Sequence, residues 1–187
     1  MEKPLRADAQ RNRARVLEAA EAVLARDGLS ASMRTIAEQA GVGLGTIYRQ
    51  FPNQAALYQA IIVERMERLI ADAGDLLAAQ DPGAAFFGFF TRVVETSTRQ
   101  KALADSLAEA GIDPKAGKSH IGRDLRRATE ALATRAQRAG AVREDLRTAE
   151  LWALLSAACL AAEHGQWSRQ LRTRALAILF DGLRPHH

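Results

Sequence analysis

Cysteine is almost absent: Cys159 stands alone in 187 residues, which excludes an intramolecular disulfide framework and fits a reducing compartment. The chain therefore depends on an apolar core, and it is long enough to build one. Proline occurs five times, at positions that read as element ends or loops, and β-branched runs are missing. Little here specifies a strand. No stretch of about 18 apolar residues runs uninterrupted, and the opening MEKPLRADAQ lacks the apolar segment of a signal peptide. The expectation is a cytoplasmic protein with no membrane span.

Catalytic and metal-binding patterns are equally scarce. There is no H-E-x-x-H, paired-cysteine or P-loop spacing. His120 and His164 are isolated in the sequence, and Cys159 falls on an apolar helical face as a small hydrophobe. Glu144 and Asp145 are adjacent, so they diverge around a helix and make a poor acid-base pair. Gly41, Gly43 and Gly45 form a G-x-G-x-G, but a dinucleotide loop needs G-x-G-x-x-G after a strand, and a helical pattern precedes this one. No enzyme is expected, with no catalytic residue, no metal ligand set and no cofactor.

What the chain does have is alanine, leucine and charge. Net charge is +4 with a pI near 9.7, compatible with a polyanionic partner. Lys3, Arg6, Arg11, Arg13 and Arg15 face only Glu2 and Asp8 within the first fifteen residues, a net side-chain charge of +3. Two readings stay open for this arm, a solvated tail and a segment that tracks DNA. High helix propensity throughout predicts an all-α fold of about nine helices.

The first helix is expected over Arg11 to Arg26, with Val16, Leu17, Ala20, Val23 and Leu24 on its buried stripe. MRTIAEQAGVGLGTIYRQF, Met33 to Phe51, then reads as two short helices joined by a tight turn. Ile36, Ala37 and Ala40 share one face, and Ser32 is placed to cap it. Gly41 can adopt the left-handed backbone that stops a helix, while Val42 returns to the core. A second helix runs from Leu44 to Gln50. With Ile47 and Phe51 inward, Thr46, Tyr48, Arg49 and Gln50 turn outward, offering hydroxyls, a guanidinium and an amide. Such groups bond phosphate oxygens and base edges, and a helix about 10 to 12 Å wide fits a major groove about 12 Å across. The stretch is therefore read as a DNA-binding helix-turn-helix.

Pro52 closes that motif, and Asn53 caps a long helix to about Ala79. A fifth helix carries Phe86, Phe87, Phe89 and Phe90, and a sixth is expected over Lys101 to Ala110. IDPKAGKS follows as the most loop-like segment, either bordering a pocket or uninvolved. Helices over Ser119 to Arg138, Thr148 to Glu163 and from Ser168 to Gly182 complete the chain. The last two show more apolar surface than one core needs, which predicts a homodimer through them. Core packing is the preferred reading of the fifth helix's phenylalanines over a dedicated cofactor site, although the same side chains can line a ligand pocket. Met66, Phe86, Phe90, Leu125 and Trp152, bulky inward positions on different helices, are the candidate lining of such a pocket. The domain boundary is placed at Pro52, with residues 1–52 as DNA-binding head and 53–187 as ligand-binding and dimerisation body.

IAEQAGVGLGTIYRQFPNQAALYQAI resembles the DNA-binding signature of the TetR (tetracycline-repressor-like) family of bacterial transcriptional regulators. AGAVREDLRTAELWALL and LAILFDGLRP are similar, more loosely, to the C-terminal region of the SbtR-like branch. Two positions depart from the family pattern: Gly43 replaces a usual Ser cap, and Gln54 replaces a usual Lys that holds a phosphate. The resemblance implies a repressor that binds a palindromic double-stranded DNA operator as a homodimer and is released by a small-molecule effector of unspecified identity. It implies DNA contacts from Arg34, Thr35, Leu44, Gly45, Thr46, Tyr48, Arg49 and Gln50, with Tyr48 and Thr46 anchoring phosphates. Two rival readings are a helical sensor or scaffold whose head does not bind DNA, and an enzyme hidden in the helical body. The exposed Thr46, Tyr48 and Arg49 argue against the first, and the lack of converging polar residues against the second.

Overall fold

A computed structural model describes residues 3–112, 119–165 and 167–185. Most of IDPKAGKS, and both terminal histidines, lie outside them. The elements are α1 (Lys3–Asp27), a short 3-10 turn (Gly28–Ser30), α2 (Met33–Ala40), α3 (Leu44–Gln50), α4 (Gln54–Leu76), α5 (Pro82–Glu109), α6 (Ser119–Arg138), α7 (Thr148–His164) and α8 (Arg169–Leu183). The described residues form an all-α fold, as expected. It has eight α-helices rather than nine, because the expected fifth and sixth helices are the single helix α5. Nothing in TRQKALADSLAE breaks a helix, so the hydrogen-bond ladder continues through Lys101. Likewise α1 begins at Lys3, not Arg11. Pro4 falls in its first turn, where a missing N–H removes no intrahelical bond.

Contacts divide the chain into two units, one of Met1–Glu64 with Ala102–Pro114 and one of Arg65–Lys101 with Lys115–His187. Both α4 and α5 therefore supply residues to each unit. The first unit is built around Val16, Leu17, Ile36, Ile47, Phe51, Leu57 and Ile61, all essentially out of water. Leu103 and Leu107 from the end of α5 complete this core, a contribution that α5's sequence does not announce. Fully burying one such side chain stabilises by about 1.5 to 3 kcal/mol, before entropy is charged against it.

The second unit packs Phe86, Phe89 and Phe90 of α5 against α6, α7 and α8. Phe180 of α8 sits edge-on to Phe90 with ring centroids 5.4 Å apart and lies 4.8 Å from Phe87, within the range of favourable aromatic pairs. Helix starts are capped by local chemistry. Asn53 Oδ1 accepts from the Ala56 N–H at 2.8 Å, Asp81 Oδ1 from Ala84 at 2.9 Å, and Ser168 Oγ from Leu171 at 3.1 Å. Glu150 accepts from the Arg147 N–H at 2.9 Å, closing the start of α7.

Candidate nucleic-acid interface

The interface begins with α2, whose first turn is fixed by Ser32: its Oγ accepts from the Thr35 N–H at 3.0 Å and lies 2.8 Å from the Thr35 hydroxyl. Its last turn ends at Gly41 with φ +64°, a left-handed conformation that costs other residues about 1 kcal/mol or more. The reversed backbone lets the Val42 N–H reach the Ala37 carbonyl at 3.1 Å, and Val42 packs against the core. Three residues, Gly41, Val42 and Gly43, separate the end of one helix from the start of the next.

Gly43 stands at the N-cap of α3 in extended backbone and offers no side-chain bond; its carbonyl accepts from the Thr46 N–H at 2.8 Å. Ile47 is fully buried and Phe51, just after α3, nearly so. These two anchors turn the opposite face outward. Tyr48 is 47% exposed, one of few large hydrophobic side chains so placed, and Arg49 and Gly45 are exposed beside it. Arg49 folds back along its own helix, donating through Nε to the Gly45 carbonyl and through Nη2 to Thr46 Oγ1, each at 3.2 Å. Long, water-exposed bonds of this kind are weak and readily exchanged for a phosphate.

The sequence-derived residues are thus not equivalent. Arg34, Gly45, Tyr48 and Arg49 are exposed, whereas Thr35, Leu44, Thr46 and Gln50 are half-buried. Leu44 packs against the core of the unit. Gln50 departs from the expected outward orientation: its Oε1 is buried with no hydrogen-bond partner among the described residues. Two arginines of the basic arm also have structural partners, since Arg13 lies 4.7 Å above the Phe51 ring and Arg15 bonds the Ala40 carbonyl. Gln54, at the position where a lysine was expected by resemblance, points to Ala31 and Tyr58. Periodicity could not find these partners, which are 23 to 38 residues away in three of the four cases.

The expected pocket residues share one apolar cluster. Phe86 and Phe90 are fully buried and edge-to-face, with centroids 6.4 Å apart. Leu125 is buried, and Met66 and Trp152 are partly buried against the same core. Two clefts described in this unit have other linings. One of about 440 Å³ lies among Arg143, Leu146, Glu150, Leu154 and Leu183; another of about 220 Å³ lies among Thr91, Glu95, Arg172, Leu176 and Phe180. No group of three or more His, Cys, Asp or Glu placed to hold a metal occurs among the described residues. No helix there is long and apolar enough to cross a membrane.

A short helix held by its buried face, presenting tyrosine and arginine after a glycine turn, defines a helix-turn-helix regulator. The description "Bacterial regulatory proteins, tetR family" matches residues 16–61, and "Transcriptional regulator SbtR-like, C-terminal domain" matches residues 81–185. The chain belongs to the TetR family of DNA-binding transcriptional regulators. It is similar over 97% of its length to a TetR transcription regulatory protein of Mycobacterium vanbaalenii, with 38% identity, full coverage of that chain and a TM-score of 0.78. The regulator UidR of Escherichia coli is 28% identical over 153 residues, 78% of this chain and 76% of that protein. The repressor KstR of Mycolicibacterium smegmatis is 31% identical over 137 residues, 65% of this chain and 63% of that protein.

Proposed function

We propose that this chain is a repressor that binds a palindromic operator as a homodimer through its last two helices and is released by a small-molecule effector. The observation that carries the DNA-reading half is the outer face of α3, where the exposed Tyr48 and Arg49 lie beside the half-buried Thr46 on a helix anchored by Ile47. Tyr48 and Thr46 hold phosphates, and Arg49 reaches phosphates or base edges once it leaves Gly45 and Thr46. Arg34 adds a backbone contact. Two copies spaced by a two-fold axis at about 34 to 36 Å would enter successive major grooves. Residues 1–52 serve as reading head and 53–187 as sensing and pairing body, which has no catalytic role. A protein acting on chromosomal DNA works in the cytoplasm.

Support for pairing comes from α7 and α8. Ala153, Ala157, Leu160 and Ala161 are exposed on α7, and Leu171, Ala177 and Ile178 on α8. Leu160, Leu171 and Ile178 are 55%, 50% and 73% exposed, an apolar surface that a second copy would cover. The effector enters the aromatic cluster around Phe86 and Phe90, with Leu125, Met66 and Trp152 as further lining. Because α4 and α5 belong to both units, repacking at Met66 alters a helix that also begins beside α3. An effector that favours one packing then lowers DNA affinity by the factor by which DNA lowers effector affinity.

The test is Tyr48→Ala in a titration of operator DNA at fixed salt. Binding should weaken by about tenfold or more, as expected for a charge-assisted contact, with helical content and oligomeric state unchanged. Undiminished binding removes Tyr48 from the interface.

A further inference from the structure

The helix α2 is held at both of its ends by long polar side chains from the helices that flank the motif. At its end, Arg15 of α1 donates through Nη2 to the Ala40 carbonyl at 2.7 Å. Ala40 is the last residue of α2, and the carbonyls of a helix's final turn have no partner inside the helix. A cation there also meets the negative end of the helix dipole. At its beginning, Gln54 of α4 donates through Nε2 to the Ala31 carbonyl at 3.0 Å. Ala31 is the buried residue just before the Ser32 cap.

Both N–H donors of the Gln54 amide are also committed. Its nitrogen carries two hydrogens, and the second goes to the Tyr58 hydroxyl oxygen at 2.7 Å. Tyr58 is 3% exposed, so this bond is sheltered from water. What Gln54 has left is a carbonyl oxygen, an acceptor that a phosphate oxygen repels. The amide nitrogen therefore faces inward, towards Ala31 and Tyr58.

We infer that Arg15 and Gln54 are positioning residues for DNA reading, which set α2, and through the Gly41 turn α3, from opposite sides without taking a phosphate themselves. This rests on α3 being the reading helix. The two braces act on the same rigid piece: α2 is eight residues long and packs into the core through Met33, Ile36, Ala37 and Ala40. Apolar packing of so short a helix leaves sliding and rolling to be fixed by directional bonds, and these two bonds supply that direction. A misplacement of about 1 Å at a reading surface weakens specific contacts far more than the diffuse attraction to phosphates.

Salt dependence separates positioning from phosphate binding. Each phosphate contact contributes about 0.9 to the slope of log affinity against log salt. The experiment uses the full chain and a duplex that it enriches from a random DNA library, titrated from about 50 to 200 mM salt. Arg15→Met and Gln54→Met should each lower affinity for the enriched duplex by about five- to tenfold. The slope, and the affinity for an unrelated duplex, should match those of the unaltered chain. Arg15→Lys, which keeps a donor and the charge, should recover part of the loss. A slope shallower by about 0.9 in Arg15→Met makes Arg15 a phosphate ligand and overturns the proposal, as does unchanged affinity in both variants. Where a methionine variant lacks a cooperative thermal transition, Arg15→Lys and Gln54→Asn, a neutral amide too short to reach both partners, are judged by the same two readouts. If the unaltered chain enriches no duplex, the reading of α3 fails and the brace with it; if it binds and the variants bind equally, only the brace fails.

Discussion

The indole nitrogen of Trp152 in α7 donates to Glu130 Oε1 in α6 at 3.1 Å, and the guanidinium of Arg126 lies 5.0 Å above the same indole while also bonding Glu130 at 3.2 Å. Bulk and inward position alone mark Trp152 as a pocket residue. The hydrogen bond gives it a second task, joining two helices through its polar edge while its ring covers the apolar core. Replacing it by phenylalanine keeps most of the apolar area and removes the donor. Trp152→Phe is expected to cost about 1 kcal/mol and lower the thermal midpoint by a few degrees, measured by circular dichroism melting. A loss no greater than that of a surface substitution would show that Glu130 is satisfied by Arg126 and water alone.

Gly41 combines a left-handed backbone with a close neighbour. A Cβ added there lies 3.1 Å from Arg15 Nη2, the nitrogen that bonds Ala40. Gly41→Ala should therefore destabilise the first unit by about 1 to 2 kcal/mol through backbone strain. It should also displace the arginine. Denaturant unfolding reads the first effect, and operator affinity the second.

Pairing through α7 and α8 is tested on the residues most exposed there. Ile178→Asp with Leu160→Asp places two charges on a surface that has to lose water for a second copy to bind. The expected outcome is a chain of half the sedimenting mass with its circular dichroism intact, and with operator affinity reduced by more than tenfold. Persistence of the dimer would move the interface away from these helices.

Cys159 offers a pH readout. Burial pushes its thiol pKa up, a hydrogen bond with Ser97 opposes the shift, and the nearby charge of Glu163 adds to it. A pKa raised by folding means that the neutral thiol's stabilising contribution is full below the unfolded-state value and is lost as pH rises through the folded one. Iodoacetamide reacts with the thiolate, so native protein should alkylate more slowly than urea-unfolded protein near pH 8, and its rate should rise at a higher pH. Equal rates in the two states would place Cys159 in water.

Local pattern settled much of this molecule. The 3.6-residue spacing of Ile36, Ala37 and Ala40, the turn at Gly41, and the caps Ser32, Asn53 and Ser168 are all read within a few residues of sequence, and each stands in the structure as its chemistry requires. These features make the two-helix motif and the all-α class, because helix starts, stops and faces are decided by neighbours along the chain. Tertiary structure alone decided where the long polar side chains go. Arg15 finds Ala40, Gln54 finds Ala31, Trp152 finds Glu130, and Leu103 with Leu107 joins the core around Ile47. Each of those contacts joins residues more than twenty positions apart, and hydrophobic periodicity says which face of a helix is buried but not which distant atoms meet it.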